Sequence, residues 1–132
     1  THEAVTNARP PIHLDAAAPH LPDIETDTPV VAMLNVNMIH ISPWAACEGL
    51  MAKAGDLLPP GGHLIMYGPY AKGGAHTAPS NLAFDDSLRA RNPAWGIRNL
   101  EDVIACAAAN ALNHVDTIDM PANNLSVVYQ RR

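Results

Sequence analysis

The chain has 132 residues, 48% of them apolar and 16% charged, with a formal net charge of −5. That length suits one compact domain, residues 1–132, and the balance is that of a folded globular protein rather than a disordered one. Eight Lys and Arg against thirteen Asp and Glu argue against a nucleic-acid partner. No apolar run reaches the roughly 18 residues of a membrane-spanning helix, and the first residues show no basic-then-apolar leader. The expectation is a cytoplasmic protein with neither membrane nor nucleic acid as partner. Cys47 and Cys106 are too few for a disulfide framework or a cysteine zinc site, and read as buried free thiols.

Twelve prolines punctuate the chain into short elements. Ile12–Asp15, after Pro10-Pro11, reads as a first short strand, and 16–29 as a surface connection. Val30–Leu34 is continuously apolar, the pattern of a strand covered on both faces. Asn35, Asn37 and His40 break that run at its end. Ser42-Pro43 predicts a helix start, with Ser42 as N-cap. Trp44, Cys47, Leu50, Met51, Ala54 and Leu58 then recur at helical spacing. Pro59 to Gly62 ends the helix, and His63–Tyr67 is a second buried strand stopped by Gly68-Pro69. Strand, helix and strand in this order make a parallel βαβ unit. Ala71 to Ser80 reads as a polar loop and Asn81 to Arg91 as a helix. Asn99 is placed to cap a helix from Leu100 to Ala109. Val115–Met120 and Leu125–Tyr129 are strands joined by a tight turn, hence antiparallel. Arg131 and Arg132 read as a solvated tail. The expected fold class is α/β, with four or five strands, mostly parallel, ending in an antiparallel hairpin.

Sheets of this kind bind ligands at the carboxyl ends of their strands. The polar strand-ending residues are therefore the candidates: Asp15; Asn35, Asn37 and His40; Tyr67 and Tyr70. Asp15 either faces a nucleotide-like ligand or simply forms a turn. Asn37 and His40 either meet a ligand or satisfy the backbone and core around them. The seven histidines form no HxH or HxxxH pair, so no metal site is expected. Neither serine at a turn, Ser42 or Ser80, has a nucleophile-elbow context, and no glycine pair makes a phosphate loop. Arg89, Arg91 and Arg98 either clamp an anion or form solvated pairs with nearby acids. Trp44 and Trp95 read as core. Asn123-Asn124 either look into a cleft or use the tolerance of Asn for left-handed backbone.

Several motifs in one order carry a resemblance: Asn37 to Trp44, Leu58 to Gly62 with Tyr67 to Tyr70, Thr77 to Asn81 with Phe84-Asp85, Trp95 to Asp102, and Met120 to Ser126. From about Pro10 to Arg132 the sequence resembles the DUF938 family of class I S-adenosylmethionine-dependent methyltransferase-like proteins. The resemblance implies a Rossmann-like methyltransferase sheet lacking its first two strands, with the third to seventh strands in this chain. It implies S-adenosylmethionine as cofactor, with Asp15 and Ala16 toward the adenine and Asn35, Asn37, Met38 and His40 lining the methionine end. Trp44, Tyr67, Tyr70, His76, Asn81, Asn123 and Asn124 would surround a small-molecule acceptor, and His40 or Tyr67 would take its proton. The family's glycine loop has no counterpart among these residues. The expectation is that the sheet is completed by a preceding segment or by a second copy in a homo-oligomer. The alternative function is a non-catalytic half-domain that oligomerises or binds a partner through the open apolar edge of the Val30–Leu34 strand.

Overall fold

In the computed structural model, residues 5–132 are described. Strand β1 (Ala32–Val36) and strand β2 (His63–Gly68) pair in parallel, joined by helix α1 (Trp44–Leu57), so the βαβ unit forms where the Pro/Gly punctuation places it. Helix α2 (Pro79–Arg91) follows, then helix α3 (Leu100–Ala108). Strand β6 (Leu112–Met120) turns through a 3-10 segment, Pro121–Asn123, into β7 (Asn124–Arg131). Strand β7 inserts between β2 and β6, giving the order β1-β2-β7-β6. The sheet is mixed, and it carries the expected antiparallel hairpin at its C-terminal end. The short β6–β7 turn forces an antiparallel hairpin, and β7 also runs antiparallel to β2, so β1, β2 and β6 point one way and β7 alone points the other.

A second, small sheet has the order β4-β3-β5, from β3 (Tyr70–Lys72), β4 (Ala75–His76) and β5 (Arg98–Asn99). The stretch read as a polar loop therefore contains a hairpin, turned by Gly73 and Gly74 at φ 59° and 76°, a pair of positive angles that glycine adopts freely. Seven strands are present among the described residues where four or five were expected.

The main sheet buries one face. Leu64 and Met66 of β2, with Val127 and Tyr129 of β7, pack against Cys47, Leu50 and Met51 of α1 and Val103 and Ala107 of α3. Each large apolar side chain fully buried there contributes on the order of 1.5–3 kcal/mol. The other face is open: Leu34 and Val36 of β1 are 69% and 50% exposed. The run Val30–Leu34 is thus not covered on both faces. Met33 packs against the core while Leu34 points the other way, and β1 is an edge strand.

Ile12–Asp15 is not a strand. Pro10 and Pro11 remove two backbone donors just before it, and Ile12 and Leu14 are exposed. Asp15 Oδ1 accepts from the Ala17 N–H at 2.9 Å, the turn-forming alternative. The following residues lie on α1, where Lys53 Nζ donates to the carbonyls of Ala16, at 2.8 Å, and Ala18. Gly49 permits this approach, since a Cβ there would come within 1.9 Å of the Ala16 oxygen.

Three local expectations also change. Pro43, not Ser42, occupies the N-cap of α1, because the Ser42 hydroxyl donates instead to the Met38 carbonyl at 2.8 Å. Asn99 does precede α3 at the cap position, but its amide donates to Asp102 rather than accepting from the backbone. Arg131 is no free tail: its N–H donates to Gly62 O and its Nε to Gly55 O at 2.7 Å. Among the described residues no helix is long and apolar enough to cross a membrane.

Candidate functional site

Strands β1 and β2 are parallel, so their carboxyl ends open on the same side, where a ligand is expected. After Val36 the chain turns at Asn37, whose φ is 52° and whose N–H donates to the Tyr67 carbonyl at 2.9 Å. This turn delivers His40 to a cleft of about 590 Å³. Asn37, His40 and Ile41 line it from the β1 side and Pro69 from the end of β2. Ser80, Asn81 and Phe84 come from the first turns of α2, and Ala122 to Asn124 from the β6–β7 turn. None of these side chains carries a formal charge. A larger hollow, about 810 Å³, lies along α1 and α3 and is lined by Glu48, Asp102 and Cys106 among others. Size favours that hollow, but strand ends and backbone strain favour the smaller cleft.

Backbone strain marks the cleft. Four non-glycine residues have positive φ among those described, and three of them, Asn37, Ala122 (61°) and Asn123 (60°), line it. Holding an L-residue such as Ala122 in the left-handed region costs about 1–2 kcal/mol, and such residues collect at functional sites. Hydrogen bonds keep the strained turn in place. The buried Asn81 amide donates to Thr77 Oγ1 and to the Asn123 carbonyl, each at 3.3 Å. Asn123 Nδ2 reaches back to Ser80 Oγ at 3.4 Å.

His40 is the titratable group of the cleft wall. It is 4% exposed, and its ring meets Phe84 edge-on, with centroids 5.8 Å apart and planes at 67°. Gly68 leaves room for it: a Cβ there would lie 3.3 Å from Asn37 Oδ1 and 3.5 Å from His40 Cε1. Burial, assisted by the positive charge of Arg98, lowers the His40 pKa from its ordinary value. The imidazole is therefore neutral at neutral pH, the form that can accept a proton.

Behind the cleft, Asp85 of α2 collects three partners. Its Oδ1 accepts from the Ile97 N–H at 2.8 Å, and its Oδ2 meets Arg89 Nε at 3.1 Å and His76 Nε2 at 3.2 Å. Burial opposes its ionisation, but these partners outweigh burial and hold the carboxyl below the usual carboxylate range.

Of the residues singled out in the sequence, the cleft brings together Asn37, His40, Asn81, Asn123 and Asn124. Asp15 and Ala16 lie beside α1 and do not line it. Asn35 is half-buried within β1, and Met38 packs against the core with its sulfur near the Ser42 hydroxyl. Trp44 lies under the Arg98 guanidinium, 5.7 Å from its ring centroid, beside the larger hollow. Tyr67 is half-buried within β2. Tyr70 is a core residue whose hydroxyl pKa burial raises. His76 faces Asp85, and its Nδ1 is buried without a partner among the described residues. Sequence reading gave no site role to Phe84, the only Phe of the chain, or to Ala122, although both fall within the motifs of the resemblance; no side-chain signal announces the left-handed backbone of Ala122. The Arg89 and Arg98 choice resolves differently for each. Arg89 pairs with Asp85, and the hydrogen bonds of Arg98 go to backbone carbonyls. Both thiols are free, and burial pushes that of Cys47 up to about 12.

As a test of the cofactor that the resemblance implies, Asn37 and His40 offer an uncharged polar wall suited to the methionine end of S-adenosylmethionine. Asp15 and Ala16 do not extend that wall toward an adenine. The fit is therefore confined to the strand-end side.

Solved structures share this arrangement of elements. An O-methyltransferase family 2 protein from Planctomyces limnophilus, in complex with apigenin, superposes with a TM-score of 0.71 at 23% identity, covering 83% of this chain and 33% of that one. Human N-acetylserotonin methyltransferase in complex with SAM gives 0.66 at 10% identity, covering 81% and 31%. The pyocyanin biosynthetic protein PhzM gives 0.65 at 16% identity, covering 82% and 32%. Likeness at these identities shows a methyltransferase-type α/β fold, and the chain spans about a third of the length of these structures. The family described as "Protein of unknown function (DUF938)" matches residues 1–131, and the chain belongs to it.

Proposed function

We propose that this chain forms the acceptor side of an S-adenosylmethionine-dependent methyltransferase acting on a small hydroxyl-bearing molecule, with His40 as general base. The observation that carries the reading is the buried imidazole, held neutral in an uncharged cleft at the strand ends. The cofactor, when bound, supplies an electrophilic methyl group. Asn37 meets its methionine end, an imidazole nitrogen of His40 takes the acceptor hydroxyl proton, and Phe84 walls the acceptor. Tyr67, the other candidate base, does not line the cleft. Closing such a cleft around both partners supplies most of the rate through proximity, and the base adds about 10²–10⁴-fold. Calorimetry with S-adenosylmethionine, on this chain and on the longest natural form of the protein, tests the cofactor. Labelled-methyl transfer by the binding-competent form tests the base: His40→Gln is expected to retain cofactor binding and lose about a hundredfold or more in turnover. No binding by either form, or unchanged turnover in His40→Gln, overturns the reading.

A second reading, a non-catalytic half-domain, is favoured by the open β1 edge with its exposed Val31, Leu34 and Val36. Light scattering of this chain separates the two, since a stable monomer at high concentration overturns self-association.

A further inference from the structure

Arg98 stands in β5, placed there by its pairing opposite Tyr70 of β3. Its Nε donates to the Ile39 carbonyl at 3.2 Å, and its Nη2 donates to the carbonyls of Ser42 at 2.8 Å and Ala94 at 2.9 Å. Ile39 and Ser42 bracket His40. The His40 carbonyl itself accepts from the Gly96 N–H at 3.0 Å. The segment that makes these contacts is anchored in turn by the Ile97 N–H on Asp85. One guanidinium thus ties both sides of the turn that carries the imidazole to a fixed strand. The rigid five-donor fork of arginine is the side chain that can serve three carbonyls together.

We propose that Arg98 is a positioning residue for His40: by holding the Ile39 and Ser42 carbonyls it fixes the turn that keeps the imidazole against Phe84 at the cleft wall. The proposal rests on the reading of His40 as general base. The groups around the ring are Phe84 from α2, Asn37 from its own turn, Gly68 from β2 and the charged Arg98 from β5. Asp85 and Arg89 lie beyond, at Gly96. Arg98 therefore acts on the ring in two ways, through the backbone it clamps and through its charge, which disfavours the imidazolium.

An NMR pH titration of this chain separates these effects. The His40 ring signals and the Gly96 amide are followed in the unmodified chain, in Arg98→Met and in Arg98→Lys. Arg98→Met is expected to raise the His40 midpoint and to speed exchange of the Gly96 amide. Arg98→Lys, which keeps the charge but cannot span three carbonyls, is expected to return the midpoint toward the original while exchange stays fast. An unchanged midpoint in folded Arg98→Met, or an unchanged Gly96 exchange rate in Arg98→Lys, overturns the proposal. The second criterion decides alone if Arg98→Met does not fold. In the binding-competent form, Arg98→Met is expected to lower kcat about tenfold with KM little changed. Should His40→Gln leave turnover intact, the general-base reading fails, whereas the NMR result still reports whether Arg98 fixes the turn.

Discussion

The helix-covered face of the main sheet and the cleft at its strand ends are built by different means. The covered face is apolar contact: Leu64, Met66, Val127 and Tyr129 interlock with α1 and α3. The cleft is hydrogen-bonded loop: Asn81 and Ser80 hold a left-handed turn, and Asp85 and Arg98 hold the segments behind His40. Apolar contact is non-directional and tolerates small shifts. Hydrogen bonds fix angles and distances. Stability in this molecule is therefore concentrated where chemistry is absent, and geometry is most tightly specified where stability is spent on strain.

Substitutions can break or sharpen that contrast. Leu64→Ala, in the fully buried centre, should cost about 2–5 kcal/mol in denaturant unfolding. Leu34→Ala, on the open face of the neighbouring strand, should change stability by no more than about 0.5 kcal/mol. Equal effects would mean that the open face is covered in solution. Asp85→Ala removes the acceptor of the buried Ile97 amide and should cost about 1–3 kcal/mol, accompanied by shifted His40 NMR signals that Leu64→Ala does not produce. Ala122→Gly should stabilise by about 1 kcal/mol, because glycine adopts the left-handed conformation without the Cβ penalty. A loss instead would show that the turn is not left-handed in solution.

The smallest effect is the pH dependence. The His40 pKa is lowered in the folded state, so the unfolded chain takes up its proton first as pH falls below about 6.5. Stability should therefore decline as pH drops through that value and level off below the folded-state midpoint. His40→Gln should flatten this part of the curve. A variant with the original slope would assign the titration to another group.

The local parts of this design were legible. Pro59 to Gly62 and the helical spacing from Trp44 to Leu58 locate α1 and its neighbouring strands, and Asn37 and His40 stand out as polar residues ending an apolar run. What could not be read was long-range. The continuous apolarity of Val30–Leu34 is compatible with a doubly covered strand and with an open edge, and only the placement of other elements decides. No periodicity states that β7 lies between β2 and β6. Ile12–Asp15 has the residue types of a strand but no partner edge. Arg98 reads as one of three surface arginines because its acceptors, Ile39 and Ser42, lie 59 and 56 residues away. Phe84 and Ala122 join the cleft through tertiary packing alone.

The position of β7 bears on how the protein is made. It occupies the interior of the main sheet, yet it is the last described strand in the chain. During synthesis, at about 5–20 residues per second, β1, α1 and β2 emerge well before β7, and β2 waits with an unpaired edge until Asn124–Arg131 arrives. Pairing Leu64 with Tyr129 closes a loop of about half the given sequence, the kind of non-local contact that slows folding. The gap between β2 and β6 is thus filled only once β7 has been made, and a ribosome stalled before residue 124 holds a nascent chain with a sticky, unfilled slot.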